Sequence, residues 1–219
     1  MIKLSNINKI YKVGNTDFYA LNDVSLEIKK GEFVAIRGAS GSGKTSLLNI
    51  IGCLDNCSSG TYLLNDKDVS KISDGQKSKI RNEQIGFVLQ DFALIDSQSV
   101  IYNVKLPLLF GRGSFSTLNR KARKALKLVG ISEQAKKKAN QLSGGQRQRV
   151  AIARAIVNWP SLILADEPTG QLDSKTGMQI MELLEALNEQ GMTVIVVTHD
   201  DKIASYASRI ITISDGKIV

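Results

Sequence analysis

The chain has 219 residues, of which 42% are hydrophobic and 23% are charged, an ordinary composition for a globular protein with one large domain and a full core. No apolar run approaches the roughly 18 residues that span a bilayer, and the first residues lack the apolar centre of a secretory signal, so we expect a cytoplasmic protein. The net charge is +8, but aromatic residues make up only 5% and do not interleave with basic ones, which argues against a nucleic-acid partner.

Two local features have simple interpretations. Lys136, Lys137 and Lys138 form a basic cluster, which we interpret first as a solvated helix end and second as a contact with a membrane surface. Cys53 and Cys57 offer too few ligands for a structural zinc site. A disulfide is also not expected in a reducing cytoplasm, so we expect two unpaired thiols.

The first third of the chain reads mostly as strands. Apolar and polar residues alternate over residues 2–28, which predicts antiparallel strands with turns near Gly14–Asp17 and Lys29–Gly31. Apolar runs then predict strands at Phe33–Ile36, Thr61–Leu64 and Ile85–Leu89, with one helix at Lys44–Ile51.

From Asp91 to about Val157 the pattern becomes helical. Leu118, Ala122, Ala125 and Val129 recur at the spacing of one helix face. Strands return afterwards, so we expect residues 91–157 to form an inserted helical subdomain.

The last third alternates strands with helices, which is typical of an α/β fold with a parallel sheet. The predicted strands are Leu162–Ala165, Thr193–Val197 and Ile210–Ile213, and the helix between the first two has Ile180, Leu183, Leu184 and Leu187 on one face.

A glycine-rich loop follows the first buried strand. Residues Gly38–Thr45 fit the pattern G-x-x-x-x-G-K-[ST] between a predicted strand and a predicted helix. Glycines let backbone amides curl around phosphate oxygens, and the helix N-terminus adds its positive end. Lys44 can then reach the β- and γ-phosphates, and the Thr45 hydroxyl can ligate Mg²⁺. A simple turn is the alternative, but the complete motif in this context favours a nucleotide site formed by Gly38, Ser40, Gly41, Ser42, Gly43, Lys44, Thr45 and Ser46.

Two carboxylates follow the buried strand Leu162–Ala165. Ligands of parallel α/β sheets bind at the carboxyl ends of the strands, so Asp166 is placed to hold Mg²⁺ and Glu167 to act as general base on a water molecule. A polar turn before Pro168 is the alternative, which the phosphate loop makes weaker.

The segment Leu142–Gln146 reads Leu-Ser-Gly-Gly-Gln. By itself it is a capped helix start, with Ser143 and Gln146 as a capping box. Placed between the phosphate loop and the acidic strand end, it closely resembles the signature of ABC ATPases, and the resemblance extends from Tyr11 to Asp215-Gly216.

This resemblance implies further roles. Tyr11 would stack on adenine, Gln90 would sense Mg²⁺ and the attacking water, and His199 would contact the γ-phosphate. Asp173 would lie on a loop that crosses to a second subunit, although it could also simply cap the following helix. Contacts with ATP bound by the partner subunit would come from Ser143, Gly144, Gly145 and Gln146.

The implied fold is a P-loop NTPase core with a mainly parallel sheet (residues 1–90 and 158–219), an N-terminal antiparallel β lobe and the inserted helical subdomain. The implied function is an ATP-binding subunit that, as a homodimer, uses ATP and Mg²⁺ to drive an integral-membrane permease from the inner face of the membrane. Three segments resemble the lipoprotein-release, macrolide-export and cell-division group: Leu48–Asp55, Asn103–Leu108 and Ala165–Gly170. That group implies export of a peptide, drug or lipoprotein-like substrate or, alternatively, mechanical signalling without transport.

Apolar residues also follow Gln90. Phe92, Leu94 and Ile95 are candidates for contact with the permease, because an exposed apolar patch often marks a partner site. The second apolar run, Leu106–Phe110, fits the core of the helical subdomain at least as well.

Overall fold

The computed structural model describes residues 1–14, 16–111 and 115–219. The strands are β1 (Ile2–Val13), β2 (Thr16–Ile28), β3 (Phe33–Arg37), β4 (Ser59–Leu64), β5 (Lys67–Asp68), β6 (Ile85–Val88), β7 (Leu162–Asp166), β8 (Thr193–Thr198), β9 (Arg209–Ser214) and β10 (Lys217–Ile218). The helices are α1 (Lys44–Ile51), α2 (Asp74–Gln84), α3 (Val100–Leu109), α4 (Phe115–Leu128), α5 (Gly144–Ile156), α6 (Ser174–Glu189) and α7 (Asp201–Ala204), with 3₁₀ turns at Ser132–Gln134 and Ala139–Gln141.

The described strands form two sheets. An antiparallel sheet has the order β2-β1-β4-β5, and a larger sheet has the order β10-β9-β3-β8-β7-β6. In the larger sheet every pairing is parallel except that of β9 with β10. The predicted α/β fold, with a mainly parallel sheet and an N-terminal antiparallel lobe, is therefore confirmed.

The central strands are apolar throughout because both faces of the sheet are covered. Successive residues of a strand point to opposite faces, and the side chains of β3 divide accordingly. Phe33 packs in the apolar cluster that includes residues of α4, α5 and α6. Val34 packs in a second cluster with residues of α1 and the antiparallel sheet. This double burial fixes the parallel strands and hence the positions of the loops that follow them.

The parallel strands end at one edge of the sheet. The phosphate loop follows β3, Gln90 lies just beyond β6, Asp166 ends β7, and His199 directly follows β8. Sheet order thus brings together four segments that are far apart in sequence.

Residues 91–157 are mainly helical, as expected. Leu118, Ala122, Ala125 and Val129 are all buried, which confirms the predicted face of α4. Four elements were not predicted: α2, β5, α7 and β10. The cluster of Lys136 to Lys138 lies exposed between the two 3₁₀ turns rather than at the end of an α-helix.

None of the described helices is both long enough and apolar enough to cross a membrane. Cys53 is buried and Cys57 half-buried, and both are unpaired thiols, as expected.

Candidate functional site

The phosphate loop has a backbone that only glycine accommodates at its closest points. Gly43 has φ 105°, and a Cβ there would lie 2.4 Å from the carbonyl oxygen of Ala20. A Cβ on Gly38 would lie 2.2 Å from the carbonyl oxygen of Ile213. These contacts hold the loop against two neighbouring segments, with Ser40, Gly41 and Thr45 exposed and Ser46 half-buried at its open side.

Polar atoms of this loop are suited to an anionic ligand. The Lys44 ammonium group is buried and donates hydrogen bonds to the carbonyl oxygens of Gly38 (2.8 Å) and Ala39 (2.7 Å). The Ser42 hydroxyl oxygen is also buried, and it has no hydrogen-bond partner among the described atoms. The Lys44 ammonium group, the Ser42 hydroxyl and the N-terminus of α1 together fit the phosphate groups of ATP.

The acidic strand end lies beside this loop. Burial raises the pKa of the Asp166 carboxyl above its usual range, Glu167 raises it further, and the Lys44 ammonium lowers it. The order of the parallel strands places this carboxylate at the same edge of the sheet as the phosphate loop. A carboxylate that is costly to keep ionised suits a divalent cation as its counter-charge, so the residues present fit Mg²⁺.

Glu167 is held in an unusual backbone conformation, with φ 45°, and its amide donates to the carbonyl oxygen of Val197 (3.0 Å). One carboxylate oxygen lies 2.7 Å from His199 Nδ1, and the other accepts from the Thr198 hydroxyl at 3.3 Å. Two partners from the end of β8 therefore orient the carboxylate. Positive φ at a non-glycine residue is a strained conformation that is concentrated at functional sites.

Gln90 is exposed and lies near this group. A Cβ added to Gly170 would lie 3.0 Å from Gln90 Nε2, and Gly170 donates its amide hydrogen to the carbonyl oxygen of Glu167 (3.1 Å). The structure thus brings Gln90 against the turn that follows Glu167.

Tyr11 lies on β1 and is 38% exposed. Its hydroxyl donates to Asp55 Oδ2 (3.0 Å), and the Lys9 ammonium donates to Asp55 Oδ1 (2.7 Å). The same ammonium lies 4.8 Å from the Tyr11 ring centroid. Asp55 follows α1, the helix that begins at Lys44. We call these three residues the Tyr11 clamp, because they tie the aromatic ring to the far end of the phosphate-loop helix.

The signature segment starts α5 as a capped helix. The Ser143 side chain accepts from the Gln146 amide in a capping box, as the sequence predicts. A Cβ on Gly145 would lie 2.4 Å from Thr176 Cγ2. Asp173 caps α6 by accepting from the Thr176 amide (3.0 Å) and hydroxyl (2.6 Å), and these hydrogen bonds lower the pKa of Asp173. The signature segment therefore packs against the loop that carries Asp173.

Within the described residues, no hydrogen bond or ion pair joins the signature segment to the phosphate loop of the same chain. Both segments offer helix N-termini, of α1 and α5, and each is exposed in part. One chain alone therefore has two separate anion-accepting ends.

Sequence reasoning missed several supporting residues. Gln148 is fully buried and donates to the carbonyl oxygen of Pro168 (2.6 Å), next to Glu167. Lys9 and Asp55 were also missed, because their contacts with Tyr11 join distant segments. A polar residue at an inward position of α5 was the one available signal for Gln148.

The apolar segments after Gln90 are placed differently from the expectation. Phe92 is buried, with the guanidinium of Arg147 5.5 Å from its ring centroid, so it is core and not a free docking surface. Leu94 is half-buried and Ile95 is 43% exposed. In the second run Leu108 is buried, but Phe110 is 84% exposed because α3 ends at Leu109, before it.

Phe110 borders a groove of about 970 Å³. Its walls come from α2, β6, the end of α3, one residue of α4, and the C-terminal part of α5. They include Pro107, Lys121, Arg154 and Asn158.

Comparisons with known proteins agree with this geometry. The family model described as ABC transporter matches residues 21–170. The uncharacterized ABC transporter ATP-binding protein MJ0796 of Methanocaldococcus jannaschii is 52% identical over 223 residues, covering all of this chain and 95% of that protein. The macrolide export ATP-binding/permease protein MacB of Campylobacter jejuni is 50% identical over 219 residues, again covering all of this chain but 34% of the relative.

Solved structures of MJ0796 are also similar. A dimeric structure of that cassette superposes with a TM-score of 0.92 at 50% identity, covering all of this chain and 96% of the other. A dimeric post-hydrolysis state bound to ADP and Pi gives the same TM-score at 49% identity, with the same coverage.

Proposed function

Because the chain belongs to the ABC transporter family and is an ATPase of that family, we propose that it is the ATP-binding subunit of a membrane transporter. In this proposal it hydrolyses Mg-ATP as a head-to-tail homodimer and drives an integral-membrane permease from the cytoplasmic face. The observation that carries the proposal is the Glu167 carboxylate, oriented by His199 and Thr198 beside a glycine loop shaped for phosphate.

Each residue of the site then has a defined task. Lys44 and the amides of residues 38–46 bind the phosphates, and Tyr11 stacks on the adenine. Thr45, Gln90 and Asp166 hold Mg²⁺. Bound Mg²⁺ neutralises charge on the β- and γ-phosphates.

Glu167 is proposed to accept a proton from the water that attacks the γ-phosphate. The Glu167 side chain is only 16% exposed and both of its carboxylate oxygens have partners, so the side chain has to move little to accept the proton. His199, whose side chain is 73% exposed, can turn toward the γ-phosphate while its ring remains next to Glu167. Gln148 supports this arrangement through the carbonyl of Pro168.

The separation of the two anion-accepting ends supports the proposed dimer. The signature residues Ser143, Gly144, Gly145 and Gln146 do not bond to the phosphate loop of their own chain, but they can complete the site of a second copy. Asp173 lies on the loop packed against them. The dimeric structures of MJ0796 support the same arrangement here.

The permease is proposed to place a cytoplasmic helix in the groove beside Phe110. An apolar, highly exposed ring at the rim of a large groove fits an amphipathic helix. The likeness to MacB, a macrolide export ATP-binding/permease protein, supports export as the direction of transport. We also propose that residues 91–157 act as a helical subdomain that moves relative to the core of residues 1–90 and 158–219.

The dimer is tested with Glu167→Gln, which keeps the shape of the side chain but removes the base. Turnover should be lost while ATP binding persists, so Mg-ATP should accumulate a dimer that light scattering detects. Glu185→Gln, on the exposed face of α6, is the matched control and should behave as the unaltered protein. A Glu167→Gln variant that binds Mg-ATP but stays monomeric at high protein concentration would contradict the sandwich dimer.

A further inference from the structure

The positive charge of this protein is concentrated in one short stretch. Residues 120–138 contain eight Lys and Arg and a single acidic residue, Glu133, so they account for seven of the eight net positive charges of the chain. The other 200 residues are nearly neutral in sum. This distribution differs from a general surplus of surface lysines, and it points to one charged surface.

Most of this charge lies on one face of α4. Leu118, Ala122 and Ala125 turn inward and are buried. The outward positions are basic and exposed, and we call them the basic face: Arg120, Lys121, Arg123, Lys124 and Lys127. The helix contains no acidic residue, and none of the described carboxylates forms a salt bridge with the basic face. Among the residues that the structure describes, no salt bridge therefore relieves the repulsion among like charges on neighbouring turns.

Two exposed aromatic rings border the basic face. The Lys124 ammonium lies 5.7 Å from the ring centroid of Trp159, which is 49% exposed. Lys121 lines the same groove as Phe110. Trp and Phe beside lysine and arginine are typical of surfaces that rest on a membrane interface, where the rings sit among the headgroups and the cations meet their phosphates.

We propose that the basic face binds the acidic phospholipid headgroups of a bilayer surface. Charge complementarity selects this occupant, because the face is a continuous basic strip, about 12 Å long over the eight helical residues 120–127, and carries no residue that would read a particular sequence or shape. The border of Trp159 and Phe110 favours a membrane over nucleic acid, since two separated rings at one edge do not form a base-stacking track. The groove proposed for the permease lies at the same side, since Lys121 belongs to the basic face and also lines that groove.

Binding of the basic face to lipid requires neither ATP turnover nor a particular permease, so the isolated full chain is tested. Sedimentation with vesicles of phosphatidylcholine alone is compared with vesicles of equal parts phosphatidylcholine and phosphatidylglycerol. We expect binding to the anionic vesicles only, and weaker binding as salt rises.

The variant Arg123→Gln/Lys124→Gln/Lys127→Gln removes three charges from the basic face. Each basic residue near an anionic surface changes binding about fivefold, so we expect a loss on the order of a hundredfold. The control Lys3→Gln/Lys29→Gln/Lys30→Gln removes the same charge from exposed sites elsewhere and should bind as the unaltered chain. Equal ATPase activity of both variants checks that they are folded.

Trp159 is the only tryptophan of the chain, so its fluorescence reports on the proposed contact directly. Its emission should shift to shorter wavelength with anionic vesicles and be quenched by lipids brominated near the headgroup. Equal binding to neutral vesicles, equal loss in the two triple variants, or duplex DNA that binds as tightly as the vesicles and displaces them would each overturn the proposal.

Discussion

Three substitutions each remove a different part of the Tyr11 clamp. Asp55→Asn keeps the size of the side chain but removes the charge that pairs with Lys9 and accepts from the Tyr11 hydroxyl. Tyr11→Phe removes only the hydroxyl, and Tyr11→Ala removes the ring. Because the clamp joins the ring to the end of α1, we expect all three changes to weaken nucleotide binding without disturbing the phosphate loop.

The magnitudes follow from the contacts. Stacking of a base on an aromatic ring contributes about 1–3 kcal/mol, so Tyr11→Ala should raise the Kd for ATP about 5- to 150-fold. A hydrogen bond to a charged group contributes about 1.5–3 kcal/mol, but the Asp55 side chain is 32% exposed and solvent reduces this. Tyr11→Phe and Asp55→Asn should therefore each cost less than about tenfold, and the double variant should cost little more than either alone.

Burial raises the pKa of Asp55, but hydrogen bonds from Lys9, the Asn56 amide and Tyr11 lower it more, so the net pKa lies below its usual value. A carboxyl whose pKa is lowered by folding stays ionised at neutral pH and loses its contribution only as pH falls through that lowered pKa. The clamp is therefore intact in measurements made near pH 7.

The assay compares the Kd for ATP with that for inorganic tripolyphosphate, which has the phosphates but no base. Variants of the clamp should lose affinity for ATP and keep it for tripolyphosphate, with KM raised and kcat nearly unchanged. If Asp55→Asn weakened both ligands equally, the clamp would be a general structural contact. If Tyr11→Phe had no effect while Asp55→Asn did, the hydroxyl would not be the link.

Two further predictions concern groups outside the nucleotide contacts. Gln148→Met removes the hydrogen bond to Pro168, so the free energy of unfolding measured in urea should fall by about 1 kcal/mol. Because Glu167 directly precedes Pro168, kcat should fall as well. An unchanged kcat would contradict this. Burial raises the pKa of both the Cys53 and the Cys57 thiols, so alkylation near pH 7 should be slower than for an open thiol and should accelerate at higher pH. Half-buried Cys57 should react first, and rapid labelling of Cys53 would be evidence against the buried position.

Most of the sheet could be predicted from sequence because its patterns are local. A continuous apolar run such as that of β8 is stable only between two covered faces, and a glycine loop followed by Lys44 has few uses other than phosphate binding. The buried face of α4 could be predicted as well, because four apolar residues recur at helical spacing. Period and motif are short-range signals, and the structure confirms the elements that they predict.

The parts of the fold and of the site that the sequence did not predict depend on contacts that no short pattern encodes. Helix α2 has one buried residue, Lys77, so it has no apolar stripe to reveal it. Phe92 and Phe110 both occur in apolar runs, but Phe92 is buried against α5 and Phe110, just beyond the end of α3, is exposed. Asp55 contacts Tyr11 across 44 positions of sequence, which sheet assembly alone determines.

Arg154 connects the segment after Gln90 to α5, the helix that begins with the signature segment. Phe92 and Ala93 both have positive φ, 61° and 46°, a strained conformation for side chains of L-residues. Arg154 of α5 stabilises this turn by donating to the carbonyl oxygens of both residues. The segment just after Gln90 is therefore attached to α5, whose first turn is the signature. We infer that a displacement of Gln90 on nucleotide binding would move α5 as a rigid helix and, with it, the end proposed to meet the partner's ATP.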